Sequence, residues 1–236
     1  GHYVFGNIAH HRKVSFPFEG NRYVATTQDE NLYISAWLCD VGLQYHQPIG
    51  NDELVIGGAY SIKLPMRNKS VITTKTTLEE VIEDSQSTFD YPQTIGAGVS
   101  YRWDKRLLVG ADVSWQNFAD ANYYGKTGQL NDRFVYAIGA QYVHKPGSKK
   151  YVENMEFRLG ANYANSYIDI DNKSFDKWAI TWGAGFPLPN TRTKLNLHME
   201  YGQQGSVQVN GLLERYYEIG IGVSLNERWF VKRKLK

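Results

Sequence analysis

Apolar residues occupy every second position in five stretches of this chain, which are 94–103, 107–116, 134–142, 155–163 and 178–186. A period of two is the pattern of β-strands that have one apolar face and one face of different chemistry. Here the second face consists mainly of Gly, Ser, Gln, Asn and charged residues. Each run lasts about ten residues, which is the length of a tilted strand that crosses a bilayer.

The composition excludes a helical membrane protein but is typical of a transmembrane β-barrel. The mean hydropathy of the 236 residues is −0.47, and no stretch approaches the roughly 18 consecutive apolar residues of a membrane helix. Tyr is the commonest aromatic residue, with 17 copies against 10 Phe and 6 Trp, and it suits positions that are apolar on one side and wet on the other. A net charge of +2 gives no support to nucleic-acid binding.

The arrangement of strands and links indicates a membrane barrel. Ten strands are predicted at 2–9, 31–46, 53–65, 92–103, 106–117, 133–144, 153–165, 176–187, 192–203 and 213–225. Short and long links alternate between them, as they do in outer-membrane barrels with short periplasmic turns and long outward loops. The sequence therefore predicts an all-β fold, a transmembrane antiparallel up-and-down β-barrel with about ten strands, in the outer membrane of a Gram-negative bacterium.

Aromatic residues on the apolar face strengthen this interpretation. Those expected near strand ends, in two interfacial girdles, are Tyr45, Trp103, Trp115, Tyr142, Tyr163, Phe186 and Tyr201. The alternative is a lipocalin-like barrel whose apolar face points inward, since periodicity alone does not distinguish inward from outward. The regular strand lengths and link alternation favour the membrane barrel. The last strand then ends in the periplasm, where 226–236 forms a basic tail.

Charged residues on the polar face are the candidate ligand-binding residues. They are Arg102, Asp112, Arg158, His198, Glu200 and Glu218. Two interpretations are open, because interior charges of small barrels either pair with each other to brace the lumen or contact a ligand. Arg102 and Asp112 are expected on adjacent strands joined by a tight turn, and Glu156 and Arg158 are expected to share a strand face. The Gly-x-Gly pairs at 96/98, 183/185 and 220/222 lie within strands, which predicts a bend of the backbone or close approach of another segment rather than phosphate binding.

No catalytic, metal or cofactor site is predicted. Adjacent His10 and His11 point to opposite faces of a strand, which is poor ligand geometry. The acidic loop at 169–172 lacks the Gly and the bidentate Glu of an EF-hand. Cys39 is expected to be a buried or lipid-facing small residue. No set of Ser, His and acid side chains at matching depth suggests an enzyme.

From about residue 92 to 234 the chain resembles the FadL-like outer-membrane transport proteins of Bacteroidetes-type bacteria. The resemblance lies in 92–101 (PQTIGAGVSY), 109–115 (VGADVSW), 158–163 (RLGANY), 183–188 (GAGFPL), 200–205 (EYGQQG) and 229–234 (WFVKRK). It implies a fourteen-stranded barrel with an N-terminal hatch, which carries hydrophobic molecules such as long-chain fatty acids inward. Residues 1–236 have room for about ten strands and no hatch. They are therefore expected to form a single barrel domain without the hatch and first strands, either as the C-terminal part of a fourteen-stranded barrel or as a ten-stranded relative.

Two functions are compatible with this resemblance. The first is an outer-membrane barrel that binds or passes small hydrophobic compounds without covalent chemistry. The alternative is a non-transporting subunit or scaffold in a larger outer-membrane assembly. The expected partners are outer-membrane lipid, a hydrophobic small molecule and other outer-membrane proteins, with no nucleic acid.

Overall fold

The structure is a computed structural model that describes residues 1–15, 25–76, 78–85, 89–123, 125–148, 150–170, 173–188 and 193–225. Its strands are β1 (His2–Val14), β2 (Thr26–Leu38), β3 (Asp40–Ile49), β4 (Asp52–Ser61), β5 (Leu64–Lys75), β6 (Glu80–Ser85), β7 (Phe89–Tyr91), β8 (Gln93–Trp103), β9 (Leu107–Asn117), β10 (Arg133–Val143), β11 (Glu156–Ala164), β12 (Asp169–Ile170), β13 (Lys173–Ser174), β14 (Lys177–Pro187), β15 (Lys194–Ser206) and β16 (Leu212–Ser224). A 3-10 turn at Tyr151–Asn154 and α1 (Val207–Asn210) complete the described elements. No helix in these ranges has the length and apolarity to cross a membrane.

Nine strands form one large sheet in the order β3–β4–β8–β9–β10–β11–β14–β15–β16. The small hairpin of β12 and β13 lies in the link between β11 and β14. One cross-strand row of the large sheet runs from Ile138 through Ala161 and Ile180 to Tyr201. The fold class predicted from the sequence is confirmed: the protein is all-β, antiparallel and up-and-down, of the transmembrane β-barrel class.

A second sheet has the order β1–β2–β5–β6, and β7 also pairs with β5. The chain divides into two compact units. The first comprises Gly1–Val41, Tyr60–Thr94 and Gln116–Asp132, and the second comprises Gly42–Ala59, Ile95–Trp115 and the chain from Arg133 onward. The second sheet belongs to the first unit, and most of the nine-stranded sheet belongs to the second.

The N-terminal part of the chain differs from the predicted strands. The strand predicted at 31–46 is two strands, because β2 ends at Leu38 and β3 begins at Asp40, with an exposed Cys39 between them. Of the two placements expected for Cys39, burial and contact with lipid, the exposure of this residue excludes burial. The strand predicted at 2–9 continues to Val14 and pairs with β2 in the second sheet.

The link predicted at 66–91 contains most of β5 as well as β6 and β7. Its Thr- and Val-rich stretch has high β-propensity, and this stretch forms the part of β5 that pairs with both β2 and β6. The segment therefore builds the centre of the second sheet, which the sequence pattern did not predict.

The alternation of short and long links holds only for the first half of the nine-stranded sheet. The links at 50–51 and 104–106 are short, whereas 62–92 and 118–132 are long. The later links at 144–155 and 165–176 have similar lengths, and 188–193 is not shorter than 207–211. The link at 144–155 is long because β11 begins at Glu156 rather than at 153. The last link is short because β15 extends to Ser206 and takes up residues predicted to be loop. The predicted tail 226–236 lies outside the described residues.

Exposure distinguishes the two faces of the nine-stranded sheet. The apolar positions are the more exposed, at 63% for Leu159, 60% for Ile138 and 73% for Ile221, while Gly96, Gly98 and Gly110 on the other face are half-buried. A lipocalin-like barrel would instead cover its apolar face. An apolar surface that crosses nine strands is unfavourable in water and suits contact with lipid.

The predicted aromatic girdles are found in part. Trp103, Tyr142, Tyr163 and Phe186 lie at the last or next-to-last position of their strands, and Trp115 lies near the end of β9. Tyr45 and Tyr201 lie in the middle of β3 and β15, so their predicted placement at strand ends is wrong. The cause is the actual strand bounds, since β3 runs on to Ile49 and β15 to Ser206.

Candidate functional site

Glu156, the first residue of β11, is the centre of a polar cluster on the face opposite the exposed apolar residues. Its relative exposure is only 7%. One carboxylate oxygen, Oε2, accepts a hydrogen bond from Nη2 of Arg158 at 2.6 Å. The other oxygen, Oε1, accepts one from Nζ of Lys194 on β15. Two cations therefore neutralise a carboxylate that is largely removed from solvent.

This cluster reaches from β11 to β15 because the intervening strand β14 carries glycines. Glu156 pairs in register with Gly185, and Arg158 pairs with Gly183. A Cβ at Gly185 would lie 3.2 Å from the Glu156 carboxylate, and one at Gly183 would lie 2.9 Å from the Leu197 carbonyl oxygen. A side chain at Gly185 would occupy the space between Glu156 and Asn196, and one at Gly183 would displace the backbone of β15. The predicted close approach at this Gly-x-Gly pair is confirmed.

Amide and hydroxyl groups extend the cluster over neighbouring strands. Arg158 donates from Nε to Gln141 Oε1 at 3.0 Å and from Nη1 to Asn196 Oδ1 at 3.1 Å. Asn196 donates in turn to the Ser224 hydroxyl at 2.9 Å. We call this set the polar-face network, and its members are Gln141, Glu156, Arg158, Lys194, Asn196 and Ser224. It joins β10, β11, β15 and β16 across the glycines of β14.

Of the predicted site residues, Arg158 is in this network, whereas Arg102 and Asp112 are not. Arg102 lies 3.7 Å from Glu53 on β4, and His46 on β3 lies 3.2 Å from the same Glu53 carboxylate. Arg102 and Asp112 lie on the adjacent strands β8 and β9, as predicted, and the described ion pair of Arg102 is with β4. Asp112 lies over Gly98, where an added Cβ would overlap the Asp112 carboxylate.

The other three predicted residues lie on the last two strands. His198 on β15 is 3.8 Å from Glu218 on β16, and its ring covers Gly220. Glu200 accepts a hydrogen bond of 2.6 Å from the Tyr216 hydroxyl. Glu200 and Glu218 are directly opposite in register, an arrangement that destabilises a strand pair when both are charged. Five of the six predicted residues thus have a described protein partner.

Sequence reasoning missed several members of the polar-face network. Lys194, Asn196 and Gln141 occupy polar-face positions of their strands but were not singled out. Such residues are recognisable as polar residues that face a glycine on the neighbouring strand. That signal needs the strand register, which depends on loops that the alternation does not specify.

Small residues line another part of the polar face and bound a cavity of about 770 Å³. Its polar-face lining includes Gly57, Gly96, Gly98, Ser100, Gly110, Asp112, Ser114 and Ala137. Ser100 faces Gly110 and Ser114 faces Gly96, so only one of each pair carries a side chain. The polar face is therefore open over β4, β8 and β9 and filled by the polar-face network over β11, β14 and β15.

Two carboxylates organise loops beyond the strand ends. Burial acts to raise the pKa of Asp176, but hydrogen bonds from Ser174, Tyr163 and the Ser166 backbone outweigh it and hold the pKa below its ordinary value. A hydrogen bond from the Ser148 hydroxyl, 2.6 Å long, lowers the pKa of Glu153 in the link before β11. These contacts give both links a defined conformation.

No group of three or more His, Cys, Asp or Glu side chains is placed to hold a metal ion within the described ranges. His10 and His11 pair in register with Glu30 and Asp29 on β2. Part of the acidic loop at 169–172 lies outside the described residues. The polar face thus offers ion pairs and hydrogen bonds between protein groups, which are suited to holding strands together.

Comparisons with known proteins identify the family of the chain and show a distant likeness to solved structures. A comparison with curated protein sequences finds no match. Among solved structures, the chain is similar to the Pseudomonas putida toluene transporter TodX, with 11% identity and a TM-score of 0.41 over 94% of this chain and 68% of that one. Because this TM-score is below 0.5, the fold assignment depends on the strands described above. The family model named BamG matches residues 1–236, and the chain belongs to the BamG family.

Proposed function

We propose that this protein is a β-barrel of the Gram-negative outer membrane that acts as a non-transporting subunit or scaffold in a larger outer-membrane assembly. It binds other outer-membrane proteins and surrounding lipid, and it performs no covalent chemistry. Membership of the BamG family supports association with an assembly. The exposed apolar face supports the location in lipid.

The observation that carries this proposal is the polar-face network. Glu156, Arg158 and Lys194 direct their charges at each other, across glycines that leave room for the contact. Charges that line a ligand passage must remain available to the ligand, whereas charges that brace a wall are neutralised by each other. A braced wall provides a rigid body against which partner proteins can dock.

A second candidate function is the binding or passage of small hydrophobic compounds, such as long-chain fatty acids. The observation in its favour is a groove of about 700 Å³ with an almost wholly apolar lining, which includes Ile56, Val99, Val113, Tyr136 and Ile138. Apolar grooves of this size accommodate small hydrophobic ligands. The groove opens on the exposed apolar face. Of the predicted lumen residues Asp112 contributes to its lining, whereas Arg102, Arg158, His198, Glu200 and Glu218 lie on the polar face away from it.

Depletion of the protein from its native bacterium separates the two candidates. We expect uptake of a radiolabelled long-chain fatty acid to stay unchanged. A second experiment uses affinity-tagged protein in undepleted cells, extracted mildly and separated on native gels. We expect the tagged protein to migrate in a complex of high apparent mass, and this mass to fall when other outer-membrane proteins are dissociated. Reduced uptake that re-expression restores would favour transport. Migration as a lone barrel, after mild extraction, would contradict the assembly proposal.

A further inference from the structure

Four aromatic side chains form an exposed cluster on one face of the strand pair β1–β2. Tyr3 and Phe5 lie on β1, and Tyr33 and Trp37 lie on β2. The ring centroid of Tyr3 is 5.8 Å from that of Phe5 and 5.0 Å from that of Trp37. The exposure of Phe5 is 76% and that of Trp37 is 72%. We call these four residues the aromatic cluster, and its rings are available for contact with a partner.

The strand register places two cations of β5 on the same face as the aromatic cluster. Residues directly opposite each other on antiparallel strands point to the same side of a sheet. Ser35 is opposite Phe5 on β1 and opposite Arg67 on β5, and Tyr33 is opposite Lys69. A groove of about 470 Å³ runs over these strands, and its lining includes Phe5, Tyr33, Arg67 and Lys69. Aromatic rings and basic groups therefore meet in one groove.

Arg67 and Lys69 give the rim of the aromatic cluster a net positive charge. Arg67 is exposed and forms no ion pair within the part of the chain that the structure describes. Lys69 lies 3.2 Å from Asp84 on β6, and both side chains are more than half exposed. Asp90 on β7 is bound by Lys63 at 3.3 Å. Asp84 therefore offsets one of the two cations, and the charge of the other is left for an external anion.

This combination of groups suits the boundary between the acyl chains and the headgroups of a membrane. Tyr and Trp are enriched at this level, because one end of each side chain is apolar and the other is polar. Basic side chains at the same level are attracted to anionic lipid. A docking protein suits the groove less well, since charged residues are depleted from the centre of protein interfaces.

We propose that the aromatic cluster, together with Arg67 and Lys69, binds an anionic phospholipid by its headgroup. This inference rests on the proposed location of the protein in the outer membrane. The rings contact the glycerol and the upper part of the acyl chains, which all phospholipids share. Arg67 donates hydrogen bonds to the phosphate oxygens, and Lys69 adds a second positive charge beside them. The rings thus provide affinity for lipid in general, and the two cations provide the preference for a negatively charged headgroup.

Native mass spectrometry of the purified full chain tests this proposal. The protein is released from detergent micelles that contain equal amounts of phosphatidylglycerol, which is anionic, and phosphatidylcholine, which has no net charge. We expect the double variant Arg67→Gln and Lys69→Gln to lower the preference for phosphatidylglycerol about fivefold, which is the effect of roughly one cation beside anionic lipid. Arg12→Gln is the matched control and should keep the preference. Arg12 is an exposed arginine of the same sheet, but it lies on the other face and opposite the neutral Gln28.

Two further variants separate the contribution of charge from that of the rings. The charge-preserving double variant Arg67→Lys and Lys69→Arg should keep the preference for phosphatidylglycerol. Trp37→Ser should lower the retention of both lipids and leave their ratio unchanged. Heat-modifiability on gels shows whether each variant is folded.

The proposal is overturned if the Gln double variant keeps the full preference, or if the charge-preserving variant loses it. Unchanged lipid retention in Trp37→Ser would remove the rings from the site and would also overturn it. Millimolar inorganic phosphate should not displace the lipid, and displacement would show a site for a free anion instead. The native-gel experiment is independent of these results. Equal retention of the two lipids by the wild-type protein contradicts the lipid site alone, and migration as a lone barrel contradicts the assembly alone.

Discussion

Single glycines on β14 decide which side chains can meet on the polar face. Gly183 is close to the backbone of β15, with the position of a Cβ 2.9 Å from the Leu197 carbonyl oxygen. Gly222 on β16 has the same alternating sequence context but no neighbouring atom within 4 Å of a Cβ. Two glycines that look alike in sequence thus have different roles, because only one of them has a neighbour to accommodate.

We expect Gly183→Ala to destabilise the protein by about 1–3 kcal/mol, because the added methyl group must displace backbone. Gly222→Ala is the control and should be nearly neutral. The measurement is the free energy of unfolding in urea from detergent micelles. An equal effect of both substitutions would contradict the close approach at β14.

Glu156 is the carboxylate on which the polar-face network depends. Glu156→Gln removes the negative charge that binds Arg158 and Lys194. Because water can partly solvate both cations, we expect the free energy of unfolding to fall by only about 1–2 kcal/mol. Glu218→Gln is the control. Its side chain is 64% exposed and lies 3.8 Å from His198, so the expected change is within about 0.5 kcal/mol. A neutral Glu156→Gln would show that the network does not brace the sheet.

Alternation identified the face of each candidate residue but not its partner. Arg158 and Glu156 were expected to share a face, and they do. Arg102 and Asp112 lie on adjacent strands, as expected, but the described ion pair of Arg102 is with Glu53 on β4. Asp52, next to Glu53, accepts hydrogen bonds from the Tyr101 hydroxyl and the Asp104 backbone, which hold β4 beside this position. Partner choice depends on register and turn geometry, which are properties of several strands at once.

At the scale of elements, the link between β11 and β14 is organised by one residue, Asp176. Its Oδ2 accepts a 2.6 Å hydrogen bond from Tyr163, and Oδ1 accepts bonds from the Ser166 backbone and the Ser174 hydroxyl. The Asp176 carbonyl accepts a bond from the Gly205 backbone at 2.9 Å. The Asp176 carboxylate thus connects the end of β11 with the loop, and its backbone carbonyl connects the loop with the end of β15.

The lowered pKa of Asp176 gives this link a defined pH dependence. A folded-state pKa below the ordinary value means that the carboxylate stabilises the loop above about pH 4. That stabilisation is lost as the pH falls through the folded value. We expect hydrogen exchange in 165–176 to be slow at pH 7 and 5 and to accelerate below about pH 4, beyond the intrinsic change.

Asp176→Asn should raise exchange in this link about fivefold at pH 7, with the difference from wild type shrinking in acid. Glu214→Gln, on exposed β16, is the control and should leave the link unchanged. Slow exchange in 165–176 at pH 3, equal to that at pH 7, would exclude Asp176 as the organising group.

At the scale of the whole molecule, the two faces of the nine-stranded sheet meet different environments. Ile180 lies on the apolar face with an exposure of 42%, and Thr181, the next residue, lies on the polar face beside Gly160. A charge on a lipid-facing position of a membrane barrel costs about 2–4 kcal/mol near the midplane. The same charge on the polar face meets other polar groups.

We therefore expect Ile180→Lys to reduce the amount of protein inserted into the outer membrane, and Thr181→Lys to have a small effect. Fractionation and heat-modifiability on gels measure insertion. Equal tolerance of both lysines would contradict the assignment of the apolar face to lipid.

The sequence by itself determined the β-class of this protein, the ten-residue strand length and the membership of each residue in an apolar or a polar face, because these are local consequences of a period of two. The tertiary structure alone decided which face is exposed, which strands share a sheet, and that Glu156 rather than Asp112 binds cations. The segment 66–91 became the centre of a second sheet for the same reason. Register, pairing and the space above a glycine arise between strands that are distant in sequence, so no single run of residues contains them.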